Sequence, residues 1–85
     1  MVYSVYIIQS QKDGSYYIGF TRDLEERLDR HNQGRSNYTR GKMPWKLVYS
    51  EDHFDRSSAV KRESEIKKRK SKEFIEKLVE CSRHL

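Results

Sequence analysis

The chain has 85 residues, of which 34% are hydrophobic and 36% charged, and its formal net charge is +5. This length suits one domain with a modest core and excludes a large multidomain enzyme. The lone cysteine, Cys81, excludes a disulfide-stapled secreted domain, and no apolar stretch is long enough to export the chain or to span a membrane. We therefore expect a single cytoplasmic domain over residues 1–85. The excess of cations favours a polyanionic partner, nucleic acid first and an acidic membrane surface second.

The first 21 residues predict a β-hairpin. Residues 2–9 and 16–21 are rich in β-branched and aromatic side chains, and Asp13-Gly14 between them is a hairpin turn signal. If cross-strand partners have residue numbers with an odd sum, the side chains separate into two faces. One is a core face, with Tyr3, Val5, Ile7, Tyr16, Ile18 and Phe20. The other is more polar, with Ser4, Tyr6, Ile8, Ser15, Tyr17, Gly19 and Thr21.

A helix is predicted over residues 23–33. Asp23 with Glu26 three positions later has the spacing of a capping box, and Gly34 is a suitable C-terminal stop. Its inner stripe consists of Leu24, Leu28 and His31, with Arg27 beside it. Asn32 is read as a helix-end residue.

The rest of the chain predicts a basic loop, a third strand and two further helices. The loop covers residues 35–44, and the strand covers residues 45–52, with Trp45, Leu47 and Tyr49 on one face and Trp45 in the core rather than stacked on a base. A second helix over residues 56–70 is capped by Asp55 or Ser57. A third, capped by Ser71, has its apolar side at Phe74, Ile75, Leu78 and Val79. The predicted fold is α/β of the α+β kind, a small three-stranded antiparallel sheet flanked by helices, in the order β-β-α-β-α-α.

A set of short motifs resembles the GIY-YIG nuclease superfamily across most of the chain. The pieces are VY at 5–6, YIG at 17–19, Arg27, His31 and Glu63. PWKLVY at 44–49 and AVKRE at 59–63 resemble the stand-alone, single-domain bacterial branch. The first motif departs from the family pattern, because Ser4-Val5-Tyr6 stands where Gly-Ile-Tyr is usual.

The resemblance implies hydrolysis of phosphodiester bonds with a divalent cation, Mg²⁺ or Mn²⁺. It implies that Glu63 is the metal ligand, and a hard cation can bind through one carboxylate and several waters. It also implies that Arg27 clamps the phosphate, for which a planar guanidinium is well shaped. The alternatives are a surface Glu63, or one paired to Arg27, and an Arg27 paired to Asp23 or Glu26.

The same resemblance assigns the handling of the proton to Tyr6, Tyr17 and His31. A phenol with a pKa near ~10 is a poor base unless a cation lowers that pKa, and which tyrosine acts as base stays open. His31 is either a proton relay to Tyr6 or a structural hydrogen-bonding residue. Gly19 allows either the close approach of a ligand or another backbone, or a bulge. Cys81, His53 and His84 lack the spacing of a zinc site.

Clustered cations outside these motifs predict a surface for nucleic-acid phosphates. They are Arg35, Arg40, Lys42, Lys46, Lys67, Lys68 and Lys70. The alternative is an ordinary solvated surface. DNA is the expected partner in preference to RNA, and the sequence leaves both open. Two further functions remain open for the chain, a non-catalytic nucleic-acid-binding module and a protein-interaction module that uses Phe74 and Leu78. The expected oligomeric state is a monomer or a weak dimer.

Overall fold

A computed structural model of the chain describes residues 2–35, 39–69 and 71–83. Three strands form the sheet, β1 (Tyr3–Ser10), β2 (Tyr16–Thr21) and β3 (Trp45–His53). Three helices accompany them, α1 (Leu24–Asn32), α2 (Arg56–Arg69) and α3 (Lys72–Arg83), with a short 3₁₀ turn at Arg40–Lys42. The predicted order β-β-α-β-α-α and the antiparallel sheet are confirmed.

Strand β1 lies in the middle of the sheet, between β2 and β3, and is antiparallel to both. In the hairpin Tyr6 lies opposite Gly19 and Ile8 opposite Tyr17, so every pair has an odd sum, as predicted. The turn between the strands holds Gly14 at φ +78°, a conformation that glycine adopts without strain. The register therefore places Tyr6, Tyr17 and Gly19 on one face of the sheet.

Both faces of the sheet are buried, which differs from the expectation of one core face and one more polar face. Helices α2 and α3 cover the first face over a cluster that includes Val5, Ile7 and Ile66. Helix α1 covers the second face through Leu24 and Leu28, and there Tyr6, Ile8 and Trp45 form a second core cluster. The second face is buried because α1 supplies an apolar stripe of its own.

A β-bulge overturns one prediction for the third strand. Ile7 lies opposite Tyr49 but Ile8 lies opposite Leu47, so Val48 is an extra residue on β3. An extra residue reverses the alternation of side chains beyond it. Trp45 and Leu47 consequently pack in the second cluster, while Tyr49 packs in the first and not beside them.

Local signals at the helix ends act as predicted. The Asp23 carboxylate accepts a hydrogen bond from the Glu26 amide at the start of α1. At its other end Gly34, at φ +74°, donates to the His31 carbonyl, and Arg35 donates to the Arg30 carbonyl, the two bonds of a Schellman motif. Helix α2 is capped by Asp55, which accepts from the Ser58 amide at 2.7 Å. Helix α3 is capped by Ser71, which accepts from the Phe74 amide at 3.1 Å.

The apolar side of α3 packs on the chain's own core. Ile75 and Val79 are buried in the first cluster, and Phe74 and Leu78 are partly buried against it. The surface suggested for a protein-interaction module is thus largely occupied within the chain. Within the described ranges no helix combines the length and the apolar character needed to cross a bilayer.

Candidate active site

A cleft of about 900 Å³ opens where β1 begins and β2 ends. Tyr6 of β1, Tyr17 and Gly19 of β2, Arg27 of α1 and Glu63 of α2 all line it. Because α1 and α2 pack on opposite faces of the sheet, the cleft lies at the sheet's β2 side, where residues from both layers meet. Four polar residues singled out in the sequence therefore share one cavity.

The absence of a side chain at Gly19 leaves space for the Tyr6 ring. A Cβ atom built on Gly19 would lie 2.6 Å from the Tyr6 hydroxyl and 2.8 Å from its Cζ atom. The glycine is therefore needed for the close approach of a side chain from the neighbouring strand. The sequence left open a close approach by a ligand or another backbone, or a bulge. The group that approaches Gly19 is instead a side chain of the protein itself, that of Tyr6.

Tyr6, His31 and Thr39 form a buried hydrogen-bonded chain. The Tyr6 hydroxyl lies 3.0 Å from His31 Nε2, and His31 Nδ1 lies 2.8 Å from Thr39 Oγ1. Thr39 is completely buried, and its carbonyl accepts a hydrogen bond from the Trp45 indole at 2.9 Å. Both ring nitrogens of His31 are thus engaged, which fixes the ring beneath the Tyr6 hydroxyl.

Burial lowers the pKa of His31, and the charges of Arg27 and Arg30 lower it further. The imidazole is consequently neutral near pH 7, with one nitrogen donating and the other accepting. The hydrogen bonds among Tyr6, His31 and Thr39 can therefore point in either of two directions. Tyr6 donates to Nε2 while Nδ1 donates to Thr39, or Thr39 donates to Nδ1 while Nε2 donates to Tyr6.

Burial also raises the pKa of Tyr6 well above its ordinary value, and the nearby Tyr17 and Glu63 act in the same direction. Arg27 opposes them through its charge and a hydrogen bond. The Tyr6 phenol is therefore protonated in this state, and its single O–H donates either to His31 Nε2 or into the cleft. Tyr17 lies beside it, with ring centroids 6.4 Å apart, and meets His31 edge-on at 5.0 Å.

Arg27 points into the cleft rather than along the outer surface of α1. Its suggested partners are engaged elsewhere, because Asp23 caps the helix and Glu26 pairs with Arg30 at 2.8 Å. Within the described ranges, the Arg27 Nε atom is buried and has no hydrogen-bond partner. An unsatisfied buried donor costs about 1–3 kcal/mol, and an anion bound in the cleft would satisfy it.

Glu63 supplies a carboxylate to the same cleft. Its side chain is 18% exposed and pairs with Lys67 of the next helical turn at 3.2 Å, rather than with Arg27. No group of three or more histidine, cysteine, aspartate or glutamate side chains forms a metal cage among the described residues. A single carboxylate facing an open cleft still fits Mg²⁺ or Mn²⁺, because such ions keep most of their water ligands. It does not fit zinc, which takes three or four protein ligands.

Comparison with known proteins agrees with this arrangement. The family model described as the GIY-YIG catalytic domain matches residues 2–77. The chain belongs to the GIY-YIG family. This family is of nuclease type, and its members are generally endonucleases that use divalent metal ions.

Three similar proteins share the name UPF0213. A UPF0213 protein of Staphylococcus saprophyticus is 45% identical over 64 residues, 74% of this chain and 77% of that protein. A UPF0213 protein of Streptococcus pneumoniae is 39% identical over 67 residues, 78% of this chain and 67% of that one. The solution NMR structure of a UPF0213 protein from Bacillus halodurans is similar in fold, with a TM-score of 0.60 at 35% identity, and covers 95% of this chain and 85% of that one.

None of the basic residues that were suggested for nucleic-acid binding and that the structure describes lines the cleft. Lys46 lies opposite Gln9, at the end of the sheet away from the cleft, and Lys42 pairs there with Asp13 at 3.6 Å. Arg35 and Arg40 belong to the same end, after α1 and in the 3₁₀ turn. Lys67 and Lys68 lie in the last turn of α2, and Lys70 lies outside the described residues.

Three residues of this GIY-YIG site escaped the sequence reasoning. Arg22 and Arg56 line the cleft, and Thr39 orients His31 from below. Each arginine adjoins a predicted helix cap, Asp23 or Asp55, and both helices begin at the end of the sheet where the YIG strand finishes. The position of both helix starts at this end of the sheet is the signal from which the two arginines could have been predicted. No sequence signal pointed to Thr39, because its contact with His31 depends on how a loop folds back onto α1.

Proposed function

We propose that this protein is a metal-dependent endonuclease-like enzyme that hydrolyses phosphodiester bonds of nucleic acid, with DNA as the preferred substrate. One observation carries the proposal. Glu63 and Arg27, from helices on opposite faces of the sheet, meet Tyr6 and Tyr17 in a single cleft. The parts that phosphate-ester hydrolysis needs are a ligand for a hard cation, a donor for the developing negative charge and groups that handle a proton.

Arg27 would bind the phosphate. Its guanidinium can donate two hydrogen bonds to phosphate oxygens, and its buried Nε has no other partner among the described residues. The fixed positive charge of Arg27, in a partly desolvated site, would then stabilise the negative charge that develops on the phosphate in the transition state. Glu63 would hold Mg²⁺ or Mn²⁺, which supplies Lewis-acid stabilisation of charge and a water of lowered pKa.

Tyr6 and His31 would handle the proton. In the free protein the raised pKa of Tyr6 keeps its hydroxyl protonated, so that it serves as a hydrogen-bond donor. When the attacking water loses its proton to Tyr6, the phenolic proton can pass to Nε2 of neutral His31, 3.0 Å away. Tyr17 lies close enough to both rings to orient the water or the phosphate.

Cleavage of a nucleic-acid panel tests the proposal. Labelled single-stranded, duplex and branched DNA and RNA are incubated with Mg²⁺ or Mn²⁺ and with wild-type, Glu63→Ala or Glu65→Ala protein. Glu65 is the matched control, since it lies on the same helix but pairs with Arg62 outside the cleft. We expect Glu63→Ala to lose activity on the order of 100-fold or more and Glu65→Ala to retain it. Equal cleavage by Glu63→Ala and wild type would refute the assignment of Glu63.

A non-catalytic nucleic-acid-binding module is the second candidate. The cations at the end of the sheet away from the cleft, Arg35, Arg40, Lys42 and Lys46, favour it, because they offer a basic surface that needs no chemistry. No cleavage of any substrate by the wild type, with binding that weakens steeply as salt rises, would select this function.

A further inference from the structure

Three large hydrophobic side chains among the described residues are exposed, and each lies on or next to an element that lines the cleft. They are Phe54, 90% exposed, Val2, 43% exposed, and Val60, 36% exposed. Val2 lines the cleft directly. Extending the β1–β3 ladder by one residue beyond the pair Tyr3–His53 places Phe54 at the same end of the sheet as Val2.

Val60 belongs to the same region of the surface. It lies four residues after Arg56 and three before Glu63, so it shares their stripe on α2. Both of those neighbours line the cleft. Val2 lines the cleft, and Phe54 and Val60 lie two residues before and four residues after Arg56, which also lines it. These three residues are called here the mouth patch (Val2, Phe54, Val60).

Two arginines border the mouth patch. The Arg56 guanidinium lies 5.6 Å from the centre of the Phe20 ring, and the Arg22 guanidinium lies 5.9 Å from that of Tyr3. Arg56 stands at the N-terminus of α2, whose first turn holds no acidic residue. The Asp55 carboxylate caps that end of the helix, and the neighbouring Arg56 side chain lines the cleft.

We propose that the mouth patch binds an unpaired nucleotide next to the phosphate in the cleft, with its base stacked on Phe54 and its phosphate held by Arg56 and Arg22. This inference rests on the proposed function of the cleft and specifies its substrate class as single-stranded or locally unpaired nucleic acid. An aromatic ring that is 90% exposed offers a free face. Bases in a duplex have both faces covered by their neighbours, so only an unstacked base can use that face.

The surrounding charge selects nucleic acid over an apolar protein segment as the occupant. A protein docking on the patch would have to cover two guanidinium groups, whereas a nucleotide supplies a phosphate for them and a ring for Phe54. The combination of an aromatic platform with adjacent cations is the general device by which proteins hold single strands.

Binding of a fluorescent oligothymidylate of about ten nucleotides, compared with an abasic strand of the same length, tests this inference. Fluorescence anisotropy is measured in EDTA, so no cleavage intervenes. We expect Phe54→Ala to weaken binding of the oligothymidylate about fivefold or more and to leave binding of the abasic strand almost unchanged. Phe54→Trp, which keeps an aromatic face, should restore the affinity, whereas Arg56→Gln should weaken binding of both strands.

The inference is overturned if Phe54→Ala weakens both strands equally or neither of them. Because the measurement needs no metal, its result is separate from that of the cleavage panel. Cleavage that depends on Glu63, without any effect of Phe54 on binding, would overturn this inference alone. Phe54-dependent binding by a protein that cleaves nothing would support the mouth patch and remove the proposed nuclease activity.

Discussion

At the scale of single residues, the contact between Gly19 and Tyr6 explains why the second motif contains a glycine. The Tyr6 ring lies across the Gly19 backbone and reaches His31 on its other side. Side-chain parity in the hairpin was enough to predict that Tyr6, Tyr17 and Gly19 share a face. It could not reveal that Tyr6 is the group that needs the glycine, because that depends on the direction of the ring across the sheet.

Gly19→Ala should therefore destabilise the protein and impair the site. The new methyl group would meet the Tyr6 hydroxyl at 2.6 Å, so the ring must move and its hydrogen bond to His31 must lengthen or break. We expect a loss of about 1–3 kcal/mol in the free energy of unfolding, measured by urea titration, together with reduced cleavage.

Gly41→Ala is the matched control for this substitution. A Cβ atom at Gly41 meets no other atom within 4 Å, and we expect its effect to stay within about 0.5 kcal/mol. If Gly19→Ala were as stable and as active as Gly41→Ala, the close approach of Tyr6 would not explain the glycine.

At the scale of elements, the junction between β3 and α2 depends on Glu51. Its carboxylate accepts hydrogen bonds from Tyr49 and from the Arg62 guanidinium, and lies 2.6 Å from His53 Nε2. Burial alone would raise the pKa of Glu51. The hydrogen bonds of Tyr49, His53 and Arg62, with the charge of Arg62, outweigh burial and hold that pKa below its ordinary value.

A carboxyl whose pKa is lowered by folding stabilises the folded protein above its unfolded-state pKa, and this contribution is lost as pH falls through the folded-state value. We expect Glu51→Gln to lower the free energy of unfolding by about 1–3 kcal/mol at neutral pH. The difference from wild type should shrink as the pH falls below the ordinary range of a glutamate carboxyl, because the contribution is lost as Glu51 itself becomes protonated.

Urea titrations between neutral and acidic pH measure this effect, with Glu65→Gln as the control. Glu65 binds the same arginine at 2.7 Å but is 50% exposed, so its removal should cost little at any pH. The role of Glu51 would be contradicted if Glu51→Gln lowered the free energy of unfolding by the same amount at neutral and acidic pH. It would also be contradicted if Glu51→Gln lowered that free energy no more than Glu65→Gln does.

Helix ends and the hairpin were predictable because their signals are local. Asp23, Asp55, Ser71 and Gly34 act on backbone groups within three or four residues, so the sequence alone places them. The bulge at Val48 was not predictable in this way, because it reflects how β3 fits against β1 and against two helix layers. The burial of the second sheet face was missed for the same reason.

At the scale of the whole molecule, the functional groups divide between two ends of the sheet. The cleft end brings together the motif residues Tyr6, Tyr17, Arg27 and Glu63, with the mouth patch beside them. The opposite end holds most of the basic residues that composition alone singled out. Net charge is a property of the chain and does not say where the cations lie, whereas motif spacing constrains which residues can meet.

The position of a bound divalent ion shows whether the cleft at Glu63 is the metal-binding site. Mn²⁺ is titrated into isotopically labelled protein, and the loss of amide NMR signals is followed, since paramagnetic broadening falls steeply with distance from the ion. We predict that the amides of Gly19, Arg27 and Glu63 broaden first, before those of the 3₁₀ turn at Arg40–Lys42, and that Glu63→Ala abolishes this selectivity. Broadening that begins around Glu51, or that spreads evenly over the protein, would contradict the assignment of the cleft as the metal-binding site.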